Sequence, residues 1–278
     1  MDRLRFGTAG IPLRVKKRDT EVGIAEVVHL GLDAMEMEFV RGVKMGEKKA
    51  EAVRRAAKRH DVVLTAHAPY YINLNSKDDK KREASIERIV ATAHIARLCG
   101  GYSIVFHPAY YGGMAPEVVY DVVKRSIARA LESIGSQKRR VWVRPETMGK
   151  PTQFGTLDEV LSLSQELDGV LPCIDFSHLH AREGKMNTYE EFRTVLERVE
   201  AALGADALKE MHCHVQGIEY TEKGEKRHLN LEESDFHYHE LLRAFVEFDA
   251  GGVVICESPN IEEDAMLLKR TYEQIKSG

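Results

Sequence analysis

Eight short apolar runs, at 4–7, 34–39, 62–66, 102–106, 140–143, 169–174, 208–215 and 252–256, alternate with longer stretches whose apolar positions recur every three or four residues. The runs have the length and β-branched content of buried strands. The stretches near 20–30, 46–60, 79–99, 116–135, 157–167, 188–203, 235–248 and 261–276 read as amphipathic helices. In the third helix Ile86, Ile89, Val90, Ala93 and Ala96 form one buried stripe, and Gly100-Gly101 stops it. Helix starts are marked by Ser76 ahead of Asp78 and Asp79, by Pro116, and by the pairs Thr156/Glu159, Asn187/Glu190 and Asn260/Glu263. Strand–helix alternation repeated eight times predicts an α/β fold, a single-domain (β/α)8 TIM barrel over residues 1–278. The longest segments without a period, 68–76, 108–115, 178–186 and 216–233, all follow strands. They fall on the C-terminal face, where barrels build their sites.

Composition adds exclusions. Charged residues make up 30% and hydrophobic ones 43%, the balance of a globular chain with a substantial core. A net charge of −4 argues against general adhesion to nucleic acid, and Lys80-Lys81-Arg82 and Lys138-Arg139-Arg140 read as solvated surface. The amino-terminal residues lack the apolar segment of a signal peptide and no window is apolar enough to span a membrane, so a cytoplasmic, membrane-free setting is expected. Cys99, Cys173, Cys213 and Cys256 have no paired spacing and read as reduced core residues.

The chemistry lies at the strand ends. His67 and His107 each close an apolar run, and Glu146 and Glu257 follow runs whose bodies must be buried. A carboxylate at such a place is costly unless it pairs or binds a cation; Arg144 is the alternative partner for Glu146. Asp175 ends another strand, and the turn after it returns His178 to the same face. His212 and His214 alternate along one strand and share a side, one as a ligand and the other as a pocket residue. His228 sits in the next loop with Glu225 three residues before it. The remaining histidines, His29, His60, His94, His237 and His239, read as helix or surface residues, with His180 open. Mixed imidazole and carboxylate donors suit zinc, manganese or iron better than calcium, and their number is enough for two or three ions.

These residues resemble the endonuclease IV family of apurinic/apyrimidinic (AP) endonucleases within the xylose-isomerase-like TIM barrels. The most specific pieces are His67-Ala-Pro-Tyr70-Tyr71-Ile72-Asn73-Leu74, Cys173-Ile-Asp175-Phe-Ser-His178 and Glu257-Ser-Pro. The resemblance implies a zinc cluster, with manganese as the substitute. His67, His107 and Glu146 would hold one ion; Glu146, Asp175, His214 or His212, and Glu257 a second; His178 and His228 a third. It makes Glu146 and Glu257 catalytic and puts Tyr70 and Tyr71 against DNA at the lesion. His214-Val215-Gln216-Gly217 fits the family pattern better than the frame starting at His212. The family's Asp-x-His becomes Glu225-Lys226-Arg227-His228, which moves the carboxylate by one residue. The implied activity is hydrolysis 5′ to abasic sites in damaged double-stranded DNA during base excision repair, by a monomer. The runner-up is a divalent-metal sugar isomerase or epimerase on the same barrel, using one main metal site.

Overall fold

In the computed structural model, which describes residues 1–135 and 141–278, eight parallel strands form the inner wall: β1 (Leu4–Ala9), β2 (Ala34–Glu38), β3 (Val63–His67), β4 (Ser103–Phe106), β5 (Trp142–Pro145), β6 (Ile174–Asp175), β7 (Met211–Val215) and β8 (Gly252–Cys256). Their order around the sheet is β5-β4-β3-β2-β1-β8-β7-β6. Parallel bridges Val143↔Val170 and Glu146↔Cys173 join the two ends, closing the ring. The strands are short and largely buried on both faces, so runs such as Ser103–Phe106 and Gly252–Cys256 are apolar almost throughout, as a wall covered by helices requires. The predicted barrel is what forms. The predicted strand 169–174 shrinks to two residues plus bridges, and the start of the strand predicted at 140–143, like Lys138-Arg139-Arg140, lies outside the described residues.

Among the described residues, eight long helices wrap the wall where the periodicity placed them: Thr20–His29, Glu47–His60, Asp79–Leu98, Pro116–Ile134, Leu157–Glu166, Tyr189–Leu203, Tyr238–Glu247 and Glu262–Ser277. Pro116 does open its helix, and Thr156 with Glu159 closes a reciprocal cap. Other starts shift: Asp78 rather than Ser76 caps the third helix, and Thr188/Glu191 replaces Asn187/Glu190. Asn260 reaches Asp264 instead of pairing with Glu263. None of the described helices is long and apolar enough to cross a membrane. All four cysteines are free and buried.

Two segments read as loops are ordered. Phe176–Glu183 is a helix, which starts without a linker because Asp175 is at once the last residue of β6 and the helix cap, its carboxylate accepting from the His178 amide at 2.7 Å. Gly217–Thr221 and Gly224–Leu229 form an antiparallel hairpin around a two-residue turn. Neither announced itself: the helix has too few apolar positions to show a period, and the hairpin turn lacks the Asn-Gly or Asp-Gly signature.

Strand alternation fixes what enters the barrel. Ala34, Val253 and Ile255 form a small apolar cluster separate from the main core between sheet and helices. On the same alternating positions, nearer the C-terminal rim, come Glu36, Glu38, Thr65, His67, Glu146, Asp175, His212, His214 and Glu257. The barrel interior thus holds a small apolar cluster and, toward its C-terminal rim, becomes strongly polar.

Candidate metal centre

Glu146 is the hub. Its carboxylate is fully buried, with His67 Nε2 and His107 Nε2 each 3.3 Å from Oε2, His178 Nδ1 3.2 Å and His214 Nδ1 3.4 Å from Oε1. Arg144, the alternative partner, is not used for this purpose: its guanidinium donates to the Pro172 and Glu210 carbonyls and to the Tyr102 hydroxyl. Three sets of donor atoms converge, each within 4.8 Å of one another: His67, His107 and Glu146; Glu146, Asp175, His214 and Glu257; His178, Glu225 and His228. Every residue singled out as a ligand is therefore placed in one continuous patch except His212. That side chain groups instead with Cys173 and the inner edge of His214. Burial pushes the Cys173 thiol up to about 12, so it enters as a neutral group.

Hydrogen bonds orient the rings. A carbonyl oxygen can only accept, so where His67 Nδ1 meets the Ala68 carbonyl at 2.8 Å, that nitrogen carries the proton and Nε2 offers its lone pair to the cluster. His178 Nδ1 against the Thr147 carbonyl at 3.0 Å and His228 Nδ1 against the Glu257 carbonyl at 3.2 Å repeat the device. Outer partners of this kind are what fix tautomers at metal sites. His214 is turned the other way, with Nδ1 toward Glu146 and Glu257 and Nε2 inward.

The third group explains the displaced carboxylate. In a regular strand Glu225 and His228, three apart, would face opposite sides. The hairpin register breaks between Glu219 and Tyr220: Arg227 pairs with Glu219 and Glu225 with Tyr220, leaving Lys226 as an extra residue. Such a bulge restores both side chains to one face. Two glycines let the hairpin approach: a Cβ on Gly149 would lie 2.7 Å from the Glu225 Cβ, and one on Gly224 2.3 Å from the Gly149 carbonyl oxygen. Glu225 ends 3.6 Å from His178 Nε2 and 3.8 Å from His228 Nε2.

Charge is concentrated here. Burial alone would raise the Glu146 carboxyl, but the His107 and His214 imidazoles hold it well below its ordinary value. Burial alone would lower His67, yet Glu146 and Glu38 carry it up to about 10; burial lifts Asp175 to about 6. Sequence reasoning missed Glu36 and Glu38 altogether. Glu36 is fully buried between His212 and His214, and Glu38 stands beside His67 in the strand register, with burial pushing it up to about 8. The signal was present in Ala34-Met-Glu-Met-Glu38, where two carboxylates two apart share the inner side of a strand. The residues fit divalent cations: Glu146 Oε1 and His214 Nδ1, 3.4 Å apart, and His178 Nε2, 3.6 Å from Glu225, are all buried and have no hydrogen-bond partner among the described residues. Close-packed polar atoms in that state cost stability unless something further joins them.

Above the cluster is an open cavity of about 290 Å³ lined by Glu38, Tyr70, Tyr110, Lys150, Gln153 and side chains of the donor groups, among them His67, His107 and Glu257. Tyr70 is 59% exposed on its rim, whereas Tyr71 stacks under the Arg88 guanidinium, 4.5 Å from its ring centre. Asn75 holds this loop by donating to the Tyr110 and Tyr111 carbonyls. The open His180 is structural, between the Lys185 carbonyl and Asp235.

A model of the xylose isomerase-like TIM barrel family matches residues 24–276. An uncharacterized protein of Methanocaldococcus jannaschii is 47% identical over 273 residues, 98% of each chain. A protein of a Geobacillus species named probable endonuclease 4 is 30% identical over 183 residues, 63% of this chain and 59% of its own length. Two solved structures share the fold. Endonuclease IV from Thermus thermophilus has a TM-score of 0.76 at 21% identity, covering 98% of this chain and 99% of its own. A D-tagatose 3-epimerase-like protein has 0.75 at 20%, covering 98% of each. The likeness to endonuclease IV legible in the motifs thus returns in the relatives.

Proposed function

Because the chain belongs to the xylose isomerase-like TIM barrel family, a fold that does not by itself choose a chemistry, we propose from its site that it is an AP endonuclease: it hydrolyses the DNA phosphodiester 5′ to an abasic site, using two or three zinc ions. One observation carries this reading. The donors form three groups rather than one, joined through Glu146 and through His178, which touches both Glu146 and Glu225. A multi-ion centre suits displacement at phosphorus, where charge develops on several oxygens.

Zinc bound in these groups would supply Lewis acidity and make water nucleophilic at neutral pH. The protein does the rest. Glu146 and the carbonyl-anchored histidines hold donors in place before substrate arrives, so little reorganisation accompanies the reaction. Glu257, with its side chain 14% exposed, faces the cavity and is the carboxylate placed to orient the attacking water. Lys150 lines the same cavity and offers positive charge to a phosphate. Tyr70 lines the entry, with Tyr71 against its ring, and both would meet DNA where an extruded sugar leaves a gap in the base stack.

The test is nicking of a duplex with one abasic site, in added zinc or manganese. Cleavage 5′ to the lesion supports the reading; an intact strand where another AP endonuclease cuts overturns it. Tyr70→Ala is expected to weaken binding of abasic duplex by roughly 5–150-fold, the range of one lost base–aromatic contact of about 1–3 kcal/mol, with zinc content unchanged. Unaltered binding in an electrophoretic shift would remove Tyr70 from the DNA face. Glu225→Gln is expected to lower the zinc count by one ion per chain and leave the others bound, as measured by elemental analysis after gel filtration.

A second reading, a sugar epimerase with one main metal, is favoured by Glu38: a carboxyl in the cavity wall serves a sugar hydroxyl more readily than a phosphate. One manganese or cobalt per chain, together with turnover of a ketose, would select it; two or three zinc ions select the nuclease.

A further inference from the structure

The side chains beneath the cluster form a chain of their own. Thr65 Oγ1 donates to Glu36 Oε2 at 2.7 Å, His212 Nε2 lies 3.2 Å from that same oxygen, and Ser103 Oγ meets His212 Nδ1 at 2.8 Å. Glu36 Oε1 lies 2.9 Å from His214 Nε2 as a close ionic contact, and neither atom has a hydrogen-bond partner among the described residues. All five side chains are buried, at 0–1% exposure, in barrel positions where branched apolar residues ordinarily stack. A carboxylate at this depth carries a large desolvation cost, repaid only by close ionic or hydrogen-bonding neighbours.

His214 is the odd one among the anchored rings. His67, His178 and His228 give their Nδ1 proton to backbone carbonyls and turn Nε2 to the cluster. His214 turns Nδ1 to Glu146 and Glu257, at 3.4 and 3.5 Å, and no backbone carbonyl of the described residues meets its other nitrogen. Glu36 takes the carbonyl's place. A carboxylate accepts only, so it requires a proton on Nε2 and leaves the Nδ1 lone pair for a cation.

We propose that Glu36 is a positioning residue that holds His214 by Nε2–H, so that Nδ1 points at the group formed with Glu146, Asp175 and Glu257, while His212 is not a ligand but a clamp on Glu36. This deepens the metal-dependent reading above and rests on it for the ion alone. The residue acts through His214 and touches neither substrate nor water. Carboxylate partners of metal-bound imidazoles raise ligand basicity as well as fixing the ring, and their loss typically costs about 10–100-fold in metal affinity.

Two variants of the full chain separate this role from simple packing. Glu36→Gln keeps an acceptor oxygen for His214 but removes the charge; Glu36→Met keeps the volume and removes both. Zinc affinity, measured by competition with a chromophoric chelator, is expected to fall about 10-fold in the first and about 100-fold in the second. Histidine-labelled ¹H–¹⁵N spectra should show the His214 Nε2–H in the unaltered chain, with and without zinc, retained in Glu36→Gln and lost to exchange in Glu36→Met. His212→Asn should keep the full ion count, whereas His214→Asn should lose an ion. A residue that only fills space would lower the melting temperature of Glu36→Met while leaving affinity and the His214 signal in place, and that result overturns the proposal. So does a zinc-loaded chain with the His214 proton on Nδ1. If the variants behave as described but abasic DNA stays uncut, the nuclease reading fails and this one stands; if the Nε2–H is absent from the metal-free protein, this one fails independently of any activity.

Discussion

Glu146→Gln is expected to abolish nicking of abasic DNA, with a loss of activity well beyond about 100-fold, and to reduce bound zinc by at least one ion per chain. The size follows from where the carboxylate sits. Removing an outer partner of a ligand costs about 10–100-fold, whereas Glu146 contacts four imidazoles directly and belongs to two of the three donor groups. The amide keeps the shape but carries no charge, and its nitrogen would oppose the donors it faces. The fold suffers too: breaking a buried ionic contact by removing one partner typically costs about 3–5 kcal/mol. Glu257→Gln makes the contrast, since its side chain is 14% exposed and meets one imidazole, His214; it should lose turnover more than metal. Elemental analysis and nicking rates on the same preparations check both. A Glu146→Gln chain that holds its full zinc complement would show that the hub is structural.

What could be read from the residues, and what could not, divides along physical lines. The barrel was legible because each of its strands is buried on both faces and each long helix on one, so burial wrote a period into the sequence. The candidate ligands were legible because polar residues at the ends of apolar runs, such as His67 and Glu257, break that pattern. Glu36 was not, because it lies in mid-strand, where Ala34-Met-Glu-Met-Glu38 reads equally as a half-exposed edge; only ring closure shows that its inner side faces His212 and His214. Between the two histidines alternation alone does not choose, since both share one face and differ only in depth; the motif resemblance favoured His214, and the barrel places His214 with Glu146, Asp175 and Glu257. Glu225 was seen as a departure from the expected spacing. The compensating bulge at Lys226 depends on pairing with residues across the hairpin, which local sequence does not encode.

Removing metal is expected to destabilise the chain increasingly as pH rises. Two saturated sites at about 1,000 times Kd contribute about 4 kcal/mol each, and a chain of this size shifts by about 2–4 °C per kcal/mol, so chelation near neutral pH should lower Tm by about 15 °C or more. The pH trend comes from the groups left behind. In the metal-free fold Asp175 is pushed from 3.8 up to about 6 and Glu38 from 4.5 up to about 8, mainly by burial. The unfolded chain ionises these carboxyls first, so stability drains away as pH climbs through the folded values. His67, lifted from 6.5 up to about 10, stabilises fully below its ordinary value and loses that contribution as pH rises toward 10. Glu36 and Glu146 are held well below the ordinary carboxylate value of 4.5, so their stabilisation is present above it and fades only in acid. Asp175 has lost its contribution by about pH 6; between about pH 6 and 9 Glu38 and His67 titrate while Glu36 and Glu146 are constant, and the metal-free Tm should fall. Zinc affinity moves oppositely, because cations displace protons from the same nitrogens and oxygens. Melts in chelator and in excess zinc, at three pH values across that span, should diverge as pH increases; a chelated chain that grows more stable toward the alkaline end would mean these carboxyls and imidazoles do not face one another as the barrel places them.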